Sequence, residues 1–149
     1  MKFPTTLKTK RSGTSIVELA VVIVIFSMLM FGILEYCLIV YTTNVVENAA
    51  REGSRYAVVN STDSTMITDT KSYVQSLMGG MDQTMSGYSC TIYQADATGT
   101  LVNSDPTVAQ FGQYICVEVS LNYVPITPGL IYLKQFTIRS KCCMISEAN

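Results

Sequence analysis

The sequence predicts an α+β fold in which one long N-terminal helix packs on a small C-terminal antiparallel β-sheet. Three observations carry this. Residues Leu19 to Leu34 (LAVVIVIFSMLMFGIL) include no charged side chain. Beyond Tyr41, apolar residues recur at three-to-four spacing as far as Val59, the period of a helix with one buried face. From Tyr88 onward the chain turns strand-like, with clear alternation over Tyr114–Tyr123, the period of a strand with one buried face.

Met1 to Gly13 reads as a short leader. Lys2, Lys8, Lys10 and Arg11 precede the apolar run with no acid among them. That bias is expected to hold the first residues in the cytoplasm and send the rest outward. Losing those four charges would take the net charge from −1 to about −5, before a new amino terminus is counted. Ser12 and Thr14–Ser15 supply capping-type residues at the helix start.

Residues 14–59 read as one helix, with a membrane-spanning segment at about 16–41. The run from Ile16 to Tyr41, interrupted by Glu18 and Glu35, exceeds the about 20 helical residues that cross a hydrocarbon core of about 30 Å. Both acids are unusual. A charged side chain in such a segment costs about 2.5–3.5 kcal/mol unless it finds a partner or the interface. Glu18 lies just inside the run, five residues after Gly13. Glu35 lies 17 positions later, about 25 Å along the helix axis, so it should stand near the outer boundary. Beside Tyr36, Glu35 fits an interfacial acid in contact with water or headgroups. The alternative is a packing contact, through Glu35 and Tyr36, with neighbouring subunits.

The outer half continues as an amphipathic helix. Val45, Ala49, Gly53 and Tyr56, with Val46, Ala50 and Ala57 beside them, form its apolar face. Glu47–Arg51 and Glu52–Arg55 can pair on the surface, each contributing a few tenths of a kcal/mol. Asn60-Ser61-Thr62-Asp63 ends the helix, which would be about 70 Å long. Residues 60–149 then form an extracytoplasmic α+β domain.

Within that domain, Ser64 to Met78 reads as a second helix capped by Ser64 and closed by Gly79-Gly80, with Ile67, Tyr73–Val74 and Leu77–Met78 along one side. Tyr88 to Gln94 is a first strand. Asp96-Ala97-Thr98-Gly99 is a turn, and Leu101-Val102 begins a short return strand. Tyr114 to Tyr123 alternates, with Ile115, Val117, Val119, Leu121 and Tyr123 on one face. Pro125 to Gly129 breaks the run, and Phe136 to Met144 is the last strand, with Phe136, Ile138, Cys142 and Met144 in phase. The apolar face of this sheet should pack on the outer half of the long helix.

Five cysteines are present. Cys37, near the outer end of the apolar run, reads as a small packing residue. The other four fall in the exported part, where disulfides form. Parity puts Cys90 and Cys142 on apolar faces and Cys116 and Cys143 on polar faces. Bridged residues must lie within about 7 Å, so partners should share a face. Placing residues 116 and 143 opposite each other centres the connection between Gly129 and Leu130. Cys90 and Cys142 are then the remaining pair, provided the first strand flanks the last. Four unpaired thiols are the alternative.

Composition narrows the chemistry. There is no histidine, which removes His-based triads and His-ligated metals. Lys plus Arg total 10 against 11 acids, so no basic field points to nucleic acid. No C-x-x-C pair, phosphate loop or convincing carboxylate pair is found, and no catalytic group, metal, cofactor or small-molecule substrate is expected.

Gly13-Thr14-Ser15-Ile16-Val17-Glu18 behind a basic leader resembles the processing site of type IV pilin-like proteins. The resemblance implies that a prepilin peptidase cuts after Gly13, leaving Thr14 as the first residue and Glu18 as the fifth. The new ammonium at Thr14 could then meet a neighbouring subunit's Glu18, so that two costly charges become a pair that sets register. Glycine at the cut lets the chain enter a protease site extended. Gly32-Ile33-Leu34-Glu35-Tyr36 and Asn48-Ala49-Ala50-Arg51-Glu52-Gly53-Ser54-Arg55-Tyr56-Ala57-Val58 resemble the TadE-like family of the tight-adherence (Flp) pilus system. The resemblance is dense over residues 11–59 and weaker at Val117 to Pro128 and Phe136 to Met144. It implies a pilin-like fold and a minor pilin or pseudopilin of pilus assembly. Its partners would be the peptidase, other pilin-like subunits and the assembly machinery, in the bacterial inner membrane and in adhesion. Glu18-Leu19 departs from the Glu-Tyr of the system's much shorter major pilins, which argues against the major subunit. A type II secretion minor pseudopilin and an uncleaved membrane-anchored binding domain are the alternatives. Signal-peptide cores run about 7–15 residues before a small-residue cleavage site; this run is longer and no such site follows closely.

Overall fold

The computed structural model describes residues 12–126 and 134–146. The expected leader, apart from Ser12 and Gly13, lies outside them, as does the Pro128–Gly129 part of the expected break. The side chains of Ser12 and Thr14, expected to cap the first helix, are also outside. Helix α1 runs Ser12–Val59, α2 Met66–Leu77 and α3 Met81–Thr84, followed by strands β1 Ser86–Ala95 and β2 Leu101–Asn103. A 3-10 turn at Pro106–Val108 then leads to β3 Tyr114–Tyr123 and β4 Phe136–Ile145. The four strands form one antiparallel sheet in the order β2-β1-β3-β4. The long helix on a small antiparallel sheet is the predicted α+β fold.

Helix α1 has two environments. From Ser15 to Leu34 nearly every side chain is exposed, Phe26 at 61% and Ile25 at 62% among them. From Glu35 onward one face is covered. Glu35, Thr42, Val46, Ala49, Ala50, Ser54, Ala57 and Val58 are buried there, with Ile39 and Val45 packed at the edge. This stripe recurs every three to four residues, as the sequence predicted. Its polar members are satisfied. Thr42 Oγ1 donates to Leu38 O at 2.8 Å. Ser54 Oγ lies 2.9 Å from Ala50 O and 2.8 Å from Cys142 O, so its hydroxyl ties the helix to β4.

Small residues set the approach of the other elements. A Cβ added at Gly53 would overlap Val74 Cγ2 of α2 and meet Val117 Cγ1 of β3 at 3.4 Å. Val74 is fully buried and β-branched, so it cannot swing away cheaply. The second helix begins later than expected. Asp63 Oδ1 accepts from the backbone N–H of Thr65, which turns the chain and makes Thr65, not Ser64, the N-cap. Thr65 makes no side-chain capping bond. Its buried stripe is Met66, Thr70 and Val74, continued by Met78, while Ile67 and Leu77 pack at the margin and Tyr73 is 36% exposed. Gly79 and Gly80 take positive φ (59° and 84°), which closes α2 and opens α3.

In β3 the predicted alternation is complete: Ile115, Val117, Val119, Leu121 and Tyr123 are all at most 1% exposed. Opposite them in β4 stand Met144, Cys142, Ser140, Ile138 and Phe136. The other face is not purely polar, because Tyr93, Ala95 and Cys116 form a second small buried cluster with Tyr114 and Cys143 against it.

One sequence expectation is corrected here. Strand β1 pairs with β3, not with β4, and places Cys90 opposite Val119. Cys142 lies opposite Val117 on the far side of β3. Cys90 and Cys142 therefore share the apolar face, as parity required, but a strand stands between them. Both are free thiols, as is Cys37. Alternation dictates which face a residue takes and is silent on which strand is its neighbour.

Candidate functional site

The two carboxylates in the apolar run have opposite surroundings. Glu35 is 2% exposed. Its Oε1 accepts the phenolic O–H of Tyr123 at 2.7 Å and the backbone N–H of Ile126 at 3.2 Å. Tyr123 closes β3, and its ring tilts against Phe136 of β4 at a centroid distance of 5.5 Å. The Glu35 carboxylate thus joins the helix to the end of β3 and the residues after it, through Tyr123 and Ile126. Burial, and then the bond to Glu35, holds the Tyr123 phenol above its ordinary pKa. The expectation of a water- or headgroup-facing Glu35 is overturned: the side chain turns inward, while Tyr36 beside it is 68% exposed. Sequence reading placed Tyr123 on the apolar face and missed its role as Glu35's partner. The available signal was a buried acid in an apolar run together with a tyrosine ending an otherwise aliphatic face, since a buried phenol normally finds a partner.

Glu18 stands on the exposed part of α1, and no described residue pairs with it. Gly13 is exposed with open space around it, inside the first turn of α1. The structure therefore brings Glu35 and Tyr123 together and leaves Gly13 and Glu18 on a surface with no contact to the rest of the described chain.

Residues 13–55 match the family model of TadE-like proteins.

The matched segment begins at Gly13, the glycine after which the sequence leads one to expect a cut. It takes in the whole exposed apolar stretch and ends at Arg55, within the part of α1 that packs on the sheet. All four strands lie beyond it. No curated protein and no solved structure matches the chain.

The cysteines form one bridge among the described residues. Cys116 and Cys143 are direct cross-strand partners in the β3–β4 register and are joined by a disulfide, the pairing and face that parity predicted. The thiol of Cys90 is half-buried in the main core, and burial raises its pKa. The neighbouring Tyr88 is pushed up to about 12, chiefly by burial and then by Cys90 and Asp82. A thiol held protonated in an apolar setting is a packing group rather than a nucleophile. Among the described residues no three acids or cysteines gather as a metal site would require.

Proposed function

We propose that this chain is a TadE-like minor pilin or pseudopilin, made as a single-pass protein of the bacterial inner membrane. A prepilin peptidase cleaves it after Gly13, and it then takes part in assembly of a Flp-type pilus. The observation that carries the reading is the division of α1. The TadE-like segment opens with Gly13 and Glu18 on a helix exposed all round from Ser15 to Leu34, and the domain packs only from Glu35 onward. About 20 apolar residues at 1.5 Å each give about 30 Å, the thickness of a bilayer core. A helix of that composition, unsatisfied by its own chain, calls for lipid or for other helices around it.

Within such a packing, Glu18 serves between molecules. Cleavage leaves an ammonium at Thr14, and a neighbour's Glu18 neutralises it in a low-dielectric setting where either charge alone would be costly. The leader's basic residues keep the uncut end cytoplasmic, and the domain faces outward. Mass spectrometry of protein extracted from membranes of its native host tests the reading. The expected mature chain starts at Thr14. A full-length chain recovered from cells with active peptidase would refute processing and favour a plain membrane-anchored domain.

A further inference from the structure

The apolar surface of α1 does not stop where the domain begins. Glu35 turns inward, but Tyr36 and Tyr41 remain 68% and 60% exposed. The sheet adds apolar side chains at the same level: Ile126 is 72% exposed, Val124 51% and Phe136 37%. The backbone N–H of Ile126 is bonded to Glu35, so Ile126 sits at that height on the helix. Ile126 also lines an open groove of about 410 Å³ with Phe31, Leu34, Leu38 and Tyr41. Phe31 and Leu34 belong to the stretch that is exposed all round. The sheet side of the molecule therefore overlaps the last turn of that stretch.

On the reading that residues 15–34 cross a bilayer, we infer that the base of the domain, formed by Val124, Ile126 and Phe136, is a second membrane contact seated in the interfacial layer of the outer leaflet. Three features select lipid as the occupant. The patch is continuous with the apolar helix. About 30 Å of helix below Glu35 fills the hydrocarbon core, so Glu35 and everything level with it lie at the boundary. Exposed tyrosines flank it, and such rings settle at the headgroup level. Apolar side chains at that depth bury in the acyl–headgroup boundary, as the faces of interfacial helices do. The latch between Glu35, Tyr123 and Ile126 then fixes the domain's height and tilt above the membrane.

The chain has no tryptophan, so single-tryptophan variants report one place each. The full chain is reconstituted in phosphatidylcholine vesicles carrying spin-labelled lipid, with the quencher either high on the acyl chain or near its end. Four variants are compared: Ile126→Trp and Val124→Trp at the base, Phe26→Trp mid-helix, and Phe111→Trp, which is 71% exposed beside the far end of α1. The inference expects Phe26→Trp to be quenched most by the deep label. Ile126→Trp and Val124→Trp should be blue-shifted and quenched most by the shallow label, and Phe111→Trp should emit as in water. Base variants that behave like Phe111→Trp overturn the membrane contact while the span stands. Base variants that are blue-shifted but not lipid-quenched mean that protein covers the patch, which also overturns it. If Phe26→Trp is not quenched, the span itself fails and the inference with it.

Discussion

The two halves of α1 share one continuous helix but not one source of stability. The half from Glu35 to Val59 is held from the side by β3, β4 and α2, through Val46, Ala49, Ala50, Gly53 and Ala57. The half from Ser15 to Leu34 has almost every side chain exposed among the described residues and meets the domain only at its last turn, where Phe31 and Leu34 share a groove with Ile126, although it is the more apolar. Burial, not hydrophobicity alone, separates a core helix from a surface awaiting a partner. The comparison also separates the two acids. Glu35 is satisfied within the molecule, and Glu18 is exposed with no partner among the described residues.

The largest perturbation available to the outer half is the sheet bridge. Cys116 and Cys143 close a loop of sequence separation 27. In the chain-entropy model, replacing both by serine should cost the domain about 3–4 kcal/mol. Amide exchange should rise along Val46–Ala57 and stay unchanged along Ser15–Leu34 in micelles. Equal loosening of both stretches would mean that the halves are not independent.

Tyr123→Phe removes one donor from the buried Glu35. Taking a hydrogen-bond partner from a buried polar group costs about 1–3 kcal/mol, and denaturant unfolding should show a loss of that order. Tyr123 also carries a pH signature, set first by its burial and then by the bond to Glu35. The folded pKa of Tyr123 lies above its ordinary 10.0. Its contribution is therefore whole below that pH and is lost as the pH rises through the folded value. Wild-type stability should fall more steeply above pH 10 than that of Tyr123→Phe; parallel curves would remove Tyr123 from the latch.

Gly53→Ala should cost about 1–2 kcal/mol. Alanine favours a helix by about 1 kcal/mol over glycine, but the added methyl overlaps Val74 and crowds Val117. A stabilised Gly53→Ala domain would show that α2 can retreat at no expense.

Much of this was legible in the residues. The charge-free run, the three-to-four spacing after Tyr41 and the alternation of Tyr114–Tyr123 each describe a local period, and local periods survive into the fold. The same parity put Cys116 and Cys143 on one face, and placing them opposite each other gave the register that the β3–β4 pair has. What stayed hidden was neighbour choice. Nothing local in Tyr88–Gln94 says that it lies beside Tyr114–Tyr123 rather than Phe136–Met144, so the expected Cys90–Cys142 bridge failed. Glu35 was misread for a related reason. Tyr123 and Ile126, which bond to it, are 88 and 91 residues away, and no spacing rule reaches that far. The Ser64 cap was displaced by one residue because Asp63 captured the Thr65 amide.

The division of α1 is tested most directly by thermal unfolding of Glu18→Ala and Glu35→Ala in the same micelles, followed by circular dichroism. The account predicts a midpoint for Glu18→Ala within error of wild type, since no described residue meets that carboxylate. Glu35→Ala should unfold several degrees lower, because the Tyr123 hydroxyl and the Ile126 amide lose their acceptor. Equal shifts for the two variants, or a larger one for Glu18→Ala, would contradict it.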